Sequence, residues 1–239
     1  MNVLNINLNL TKTNPASLIK RAVSKMILGP LKYKNQDDYN AQQYWQDRFK
    51  KYGFSLQGAG HEGMTEIENQ QRYASAAKFF TELCIEQGID FQNARVLDIG
   101  CGTGYYTKIC NEMKVKDYTG IDITNVLLPE IEKKFPLYRF IQKDITENEI
   151  HEKFDLIYMI DVIEHIVTQD KFISAMQNIK KCMTDKSVFI ISPLVDRGKK
   201  LLFYLRMWTI QDVQQQFPGY NIKTIDNILD DYLLIIKKA

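Results

Sequence analysis

The run Val96-Leu97-Asp98-Ile99-Gly100-Cys101-Gly102-Thr103-Gly104-Tyr105 constrains this chain more than any other feature. A short apolar segment ends on three glycines that alternate with other residues, and a helix-forming segment follows. Glycines let backbone pass close to a ligand where a Cβ would collide, and the helix N-terminus that follows faces that ligand. Clustered glycines alone make a tight turn as readily as a binding loop. The surroundings therefore decide.

From residue 95 onward, short apolar runs alternate with amphipathic stretches. Residues 95–99, 117–121, 138–142, 155–160 and 188–191 read as strands, separated by segments long enough for crossover helices. This predicts an α/β fold, a doubly wound and mostly parallel sheet with helices on both faces. Two last runs, 222–225 and 232–236, lie too close for a crossover, so they pair antiparallel. Thr65-Glu66-Ile67-Glu68 has capping-box spacing, and Tyr73, Ala76, Ala77, Phe80, Leu83 and Cys84 recur at helical spacing until Gly88. Residues 168–183 carry Phe172, Ile173, Met176 and Ile179 on one helical face, and Thr209 with Asp212 opens a further short helix. Residues 1–65 read as an N-terminal extension and partly helical cap, and 66–239 as the main domain.

Lys and Arg number 31 against 29 acids, a net charge of +2 that argues against a long phosphate-tracking surface, so nucleic acid is disfavoured as a partner. Cys84, Cys101, Cys110 and Cys182 form neither a C-x-x-C pair nor a cluster with His, so neither a zinc cage nor a disulfide framework is signalled. The N-terminus lacks the pattern of a signal peptide, and no stretch reaches membrane-spanning length. The expectation is a soluble cytoplasmic protein, monomeric or homodimeric.

Two details narrow the ligand. The spacing is G-x-G-x-G rather than the G-x-G-x-x-G of pyrophosphate sites, and Asp98 precedes the first glycine. A carboxylate there opposes phosphate and suits an ammonium group, such as the methionine part of S-adenosylmethionine (SAM). Asp122 ends the next strand at the distance where an acid reaches ribose hydroxyls. Asp144, ending the third, could accept from an adenine amino group, with Ile145 offering a backbone donor and an apolar edge.

These residues carry a resemblance. Residues 96–104 (VLDIGCGTG), 120–122 (GID), 143–145 (KDI) and 154–157 (FDLI) resemble the successive motifs of class I SAM-dependent methyltransferases, over roughly residues 70 to 237. The resemblance implies a seven-stranded sheet with an antiparallel last strand. It implies that Asp98, Gly100, Cys101, Gly102 and Gly104 hold the methionine portion, that Asp122 and Ile123 border the ribose, and that Asp144 and Ile145 border the adenine. Tyr105, Met159 and Ile160 would lie near the cofactor. Thr184-Asp185-Lys186 departs from the family's usual Pro-Gly-Gly turn before the fifth strand.

His165, in the loop after the fourth strand, is the candidate general base, and His61 in the glycine-rich cap is the second. A structural loop histidine is the competing explanation. Asp161, Glu164 and His165 also resemble the Glu-x-x-Glu-His pattern of ubiquinone-pathway O-methyltransferases and small-RNA 2′-O-methyltransferases, where a divalent cation is used. Magnesium would need several waters here, and no metal ligand is assigned. Tyr44, Trp45, Arg48 and Tyr73, with Trp208 from the other side, are the candidate acceptor contacts, joined by Asn69 among the polar tips. Basic groups at Lys20, Arg21 and Lys25, and at Arg197, Lys199 and Lys200, sit beside apolar residues; solvated helix faces explain them, and peripheral membrane contact would use the same pattern. The expected function is methylation of a small-molecule or glycan-like acceptor at oxygen. The alternatives are an RNA methyltransferase and a non-catalytic SAM-binding module.

Overall fold

The computed structural model describes residues 19, 21–226 and 231–239. Residues 1–18 and Lys20, where the extension begins, lie outside the described residues. The main sheet has seven strands: β1 (Arg95–Ile99), β2 (Asp117–Asp122), β3 (Arg139–Gln142), β4 (Phe154–Ile160), β5 (Met183–Leu194), β6 (Tyr220–Asp226) and β7 (Tyr232–Lys238). Their spatial order is β6-β7-β5-β4-β1-β2-β3. The pairs among β1 to β5 are parallel, whereas β7 runs antiparallel to both β5 and β6. The chain reverses direction on either side of β1, so the carboxyl ends of β1, β2 and β4 meet at a switch point, where open α/β sheets bind ligands.

Strand alternation sends Leu97, Ile99 and Ile157 to one layer and Val96, Leu156 and Tyr158 to the other. The first layer is covered by α6 (Gln169–Cys182) through Phe172, Met176 and Ile179, and by α7 (Ile210–Gln216) through Val213. The second is covered by α3 (Glu66–Glu86) through Phe80, Leu83 and Cys84, by Cys110 of α4 (Tyr105–Glu112) and by Ile131 of α5 (Leu128–Lys134). Thr65 and Glu68 form the expected capping box of α3, and Thr209 with Asp212 forms that of α7. All four cysteines are buried free thiols.

Before α3 lie a helical segment over Ser24–Leu28 and Gly29–Tyr33, a small hairpin (Lys34–Asn35 with Asp38–Tyr39), α1 (Ala41–Tyr52) and α2 (Leu56–Ala59). A second hairpin, Lys199–Leu202 with Leu205–Met207, was not anticipated. Its turn residues Phe203 and Tyr204 pack with Tyr39 and Val167 in a third apolar cluster, against Tyr33 and Tyr44. Thr184-Asp185-Lys186 is not a loop: it belongs to β5, where the register shifts against β4 and the Ser187 hydroxyl accepts from the Thr184 amide at 2.7 Å. Among the described residues no helix is long and apolar enough to cross a membrane.

Candidate active site

The glycine run turns directly after β1. The Gly100 and Cys101 amides both donate to the Ile121 carbonyl, at 2.8 and 3.0 Å, which ties the loop to the neighbouring strand. Gly100 has φ +81, and a Cβ there would lie 2.3 Å from Val162 Cγ2; only glycine allows the loop to cross the segment that follows β4. Gly102 donates its amide to Asp122 Oδ2 at 3.0 Å, and the Thr124 amide donates to Asp122 Oδ1 at 2.9 Å. Burial pushes the Asp122 carboxyl up to about 6.

The cleft at this strand edge contains about 1070 Å³ of free space, its open mouth included. Of the sequence-predicted cofactor contacts, Gly100, Cys101, Gly102 and Tyr105 line its first wall. Asp122, Ile123, Asp144, Ile145 and Ile160 line the floor. Asp144 Oδ1 accepts from the Thr146 amide at 2.8 Å, which orients that carboxylate. Three predicted contacts stand elsewhere. Asp98 shares the face of Val96 rather than that of Ile99, and its Oδ2 accepts from Tyr118 OH at 2.7 Å; burial pushes it up to about 7. Met159 alternates away from Ile160 into the core beneath α6. Gly104, at φ +75, caps α4 against Ile131.

Of the acceptor-side candidates, Trp45, Tyr73 and His165 line the cleft. The Trp45 ring meets His165 edge-on at 4.8 Å, and Tyr73 meets Tyr105 edge-on at 4.9 Å. His165 Nδ1 lies 3.1 Å from the Tyr204 carbonyl oxygen. A carbonyl only accepts, so Nδ1 carries the ring proton and Nε2 is the basic nitrogen. Burial lowers the imidazole to about 4, so the ring is neutral. Glu164 Oε1 lies 3.9 Å from Nε2, and Glu164 Oε2 is buried without a hydrogen-bond partner among the described residues. Burial, then the nearby Asp161, pushes the Glu164 carboxyl well above the usual range.

Five acceptor-side assignments are corrected. Arg48 is a clamp: its guanidinium donates to the carbonyls of Gln57, Gly58 and Gly60 and to Tyr44 OH, which uses its donors on the α1–α2 turn region. Tyr44 is stacked on Tyr204 at 4.7 Å behind the lining. Trp208 is fully buried, stacked on Phe172 at 4.0 Å, with its Nε1 donating to the Ile166 carbonyl. His61 is exposed and outside the lining, its Nδ1 accepting from the Gly63 amide at 3.1 Å. Asn69 is likewise spent on structure, exchanging hydrogen bonds with the His61 backbone.

The cleft also contains Asp161, singled out above with Glu164 and His165, and three residues that were not foreseen: Tyr39, Phe49 and Tyr106. Phe49 follows Trp45 by one helical turn, a signal that was available. Asp161 adopts φ +56 and its carboxylate pairs with Arg72 at 3.2 Å, bridging α3 to the end of β4. Among the described residues no group of three or more His, Cys, Asp and Glu side chains could hold a metal ion, and Asp161, Glu164 and His165 do not converge as one.

Comparison with known proteins agrees with this geometry. A family model described as a methyltransferase domain matches residues 68–232. The chain is similar to ribosomal RNA small subunit methyltransferase A of Mesomycoplasma hyopneumoniae (strain J / ATCC 25934 / NCTC 10110), 39% identical over 77 residues. That match spans 30% of this chain and only 29% of the relative's length. Among solved structures, the fold is similar to a SAM-dependent methyltransferase from Clostridium acetobutylicum ATCC 824, with TM-score 0.57, 20% identity, and coverage of 70% of this chain and 92% of that one. It is also similar to SAM-bound CalS10, an amino pentose methyltransferase from Micromonospora echinaspora, with TM-score 0.61, 13% identity, and coverage of 74% and 98%. With the family match extending over more than half of its residues, the chain belongs to the methyltransferase-domain family, and its fold is that of the SAM-dependent methyltransferases it is similar to.

Proposed function

We propose that the protein methylates a small-molecule or glycan-like acceptor at oxygen, with His165 as general base. The observation that carries this reading is the neutral His165 in the cleft, its Nδ1–H fixed on the Tyr204 carbonyl and its Nε2 free of the ring proton. SAM, when bound, supplies a methyl group on a positively charged sulfur. The residues of the cleft fit it: each Asp122 oxygen spends one lone pair on a backbone amide and keeps another for a ribose hydroxyl. Gly100 and Gly102 carry no Cβ where the loop lines the cleft, and Asp144 with Ile145, lining the same cleft, is assigned to the adenine edge. Asp98 supports the site through Tyr118 instead of touching the ligand.

Methyl transfer is an in-line displacement, so alignment of the acceptor oxygen is the main requirement. Trp45, Tyr73 and Tyr105 offer aromatic faces that suit a ring-shaped acceptor and exclude water. The acceptor hydroxyl proton passes to His165 Nε2, and Glu164 Oε1, 3.9 Å from that nitrogen, lies beside the cation so formed. The cap segment up to residue 65 belongs to the same proposal, as the part that selects the acceptor, while residues 66–239 hold the donor.

The test is methyl transfer from radiolabelled SAM to a panel of hydroxylated sugars and phenols, with amino sugars and ribosomal RNA alongside. Methylation of a hydroxyl supports the reading. Exclusive methylation of amines, as the CalS10 comparison invites, would overturn the oxygen assignment. Exclusive methylation of RNA, as the rRNA relative invites, would overturn the acceptor class. SAM binding with no transfer to any acceptor would leave a binding module.

A further inference from the structure

The segment before the first hairpin is amphipathic in an inverted sense. Between Ile19 and Gln36 the basic residues are Lys20, Arg21, Lys25, Lys32 and Lys34, and there is no acidic one. Its cations reach back to the body: Lys25 Nζ lies 3.6 Å from Glu62 and over the Tyr204 ring, and Lys32 Nζ lies 2.6 Å from Asp47. The aliphatic side chains turn outward. Met26 is 71% exposed and Leu31 80%, and Ile19, Ile27 and Leu28 are exposed as well. Single exposed aliphatics are ordinary, but four on the helical segment of residues 24–33, with Ile19 and Val23 exposed just before it, mark a contact surface.

The second hairpin extends the same face. A Cβ on Gly29 would lie 2.6 Å from the Phe203 ring, the Tyr33 and Phe203 rings are stacked at 6.2 Å, and Lys200 Nζ donates to the Asp37 carbonyl at 2.8 Å. That hairpin contributes the exposed Leu201, and Arg197, Lys199 and Lys200 are exposed around it. The acids within these segments, Asp37 and Asp196, stand only at their ends.

We propose that this face docks on an anionic lipid surface. The aliphatic side chains enter the headgroup region and the exposed Lys34, Arg197 and Lys199 meet lipid phosphates, the arrangement of an interfacial amphipathic segment. Charge decides against a second copy of the chain. In a two-fold dimer the patch would meet itself, setting the Lys199–Lys200 rim and Lys34 against cations of the same patch. This inference concerns the outer surface and is independent of the acceptor assigned above.

The experiment is co-flotation of the full chain with vesicles of phosphatidylglycerol and phosphatidylcholine, or of phosphatidylcholine alone. The expected result is capture by the anionic vesicles only, reversed by high salt. Met26→Gln/Ile27→Gln/Leu31→Gln should lower that capture by at least about tenfold, on the scale of a few buried methylenes. The triple variant must keep wild-type SAM affinity and thermal unfolding, which shows that it folds. Absence of capture, equal capture by neutral vesicles, or equal capture of the triple variant would overturn the proposal. A concentration-dependent dimer in solution that the triple variant dissolves would also overturn it and assign the face to a second copy.

Discussion

The amide of Gly102 donates to the Asp122 carboxylate at 3.0 Å, so the glycine loop after β1 and the end of β2 form one unit. Burial raises this carboxyl to about 6, and its ionised form is the better acceptor for ribose hydroxyls. SAM affinity is therefore expected to hold from pH 8 to 7 and to weaken as pH falls through about 6, with Asp122→Asn showing no such step. Titration calorimetry across this range checks it; an unchanged affinity at pH 5 would contradict the role given to the carboxylate.

Gly100→Ala should destabilise the protein by about 2–4 kcal/mol, combining left-handed backbone strain with overpacking against Val162. The contact arises from Val162 Cγ2, 2.3 Å from the added Cβ. Adding Val162→Ala should recover the packing part and leave the strain. Thermal unfolding of the single and double variants separates the two, and a double variant no more stable than Gly100→Ala would show that strain alone is responsible.

His165→Gln should lower kcat by about 10²–10⁴-fold and leave SAM affinity nearly unchanged, the behaviour of a general base. Because burial holds the imidazole at about 4, kcat at saturating SAM should stay level from pH 8 to below 6. A base with an ordinary histidine value would lose activity near 6.5. A near-normal kcat in His165→Gln would make the residue structural.

Asp98→Asn should become more favourable to stability as pH rises. Burial raises the Asp98 carboxyl in the folded state to about 7, above its unfolded value. The stability that this group contributes is thus fully present below the unfolded value and is lost as pH rises through about 7. The Tm difference, variant minus wild type, is expected to grow between pH 5 and pH 8. A difference independent of pH would mean that Asp98 does not ionise in that window.

Much of this was legible in the sequence for a physical reason. The strands of the sheet are short and apolar with spacers of crossover length, and Asp122 and Asp144 stand at strand ends, so their places at the cleft follow from the register of β1, β2 and β3. Asp98 and Met159 show where that reasoning stops: both are in the right strands, but two-residue alternation turns Asp98 toward Tyr118 in one layer and Met159 into the opposite layer beneath α6. The acceptor wall was harder to read because its residues depend on contacts between distant segments. Arg48 has the composition of a ligand contact until the carbonyls of Gln57, Gly58 and Gly60 use its donors. Trp208 has the look of a pocket wall until Phe172 of α6 covers it. Tyr39 reaches the cleft because its short hairpin packs under the unforeseen Phe203–Tyr204 turn, and no periodicity announces either.

The central claim is that the cleft between the glycine loop and Asp122 holds SAM. Calorimetric titration of the wild-type chain with SAM and with its demethylated product should give saturable one-site binding, weakened by about 100-fold in Asp122→Ala for the loss of two hydrogen bonds to a charged group. Absence of binding to the wild type, or the same affinity in Asp122→Ala, would contradict it.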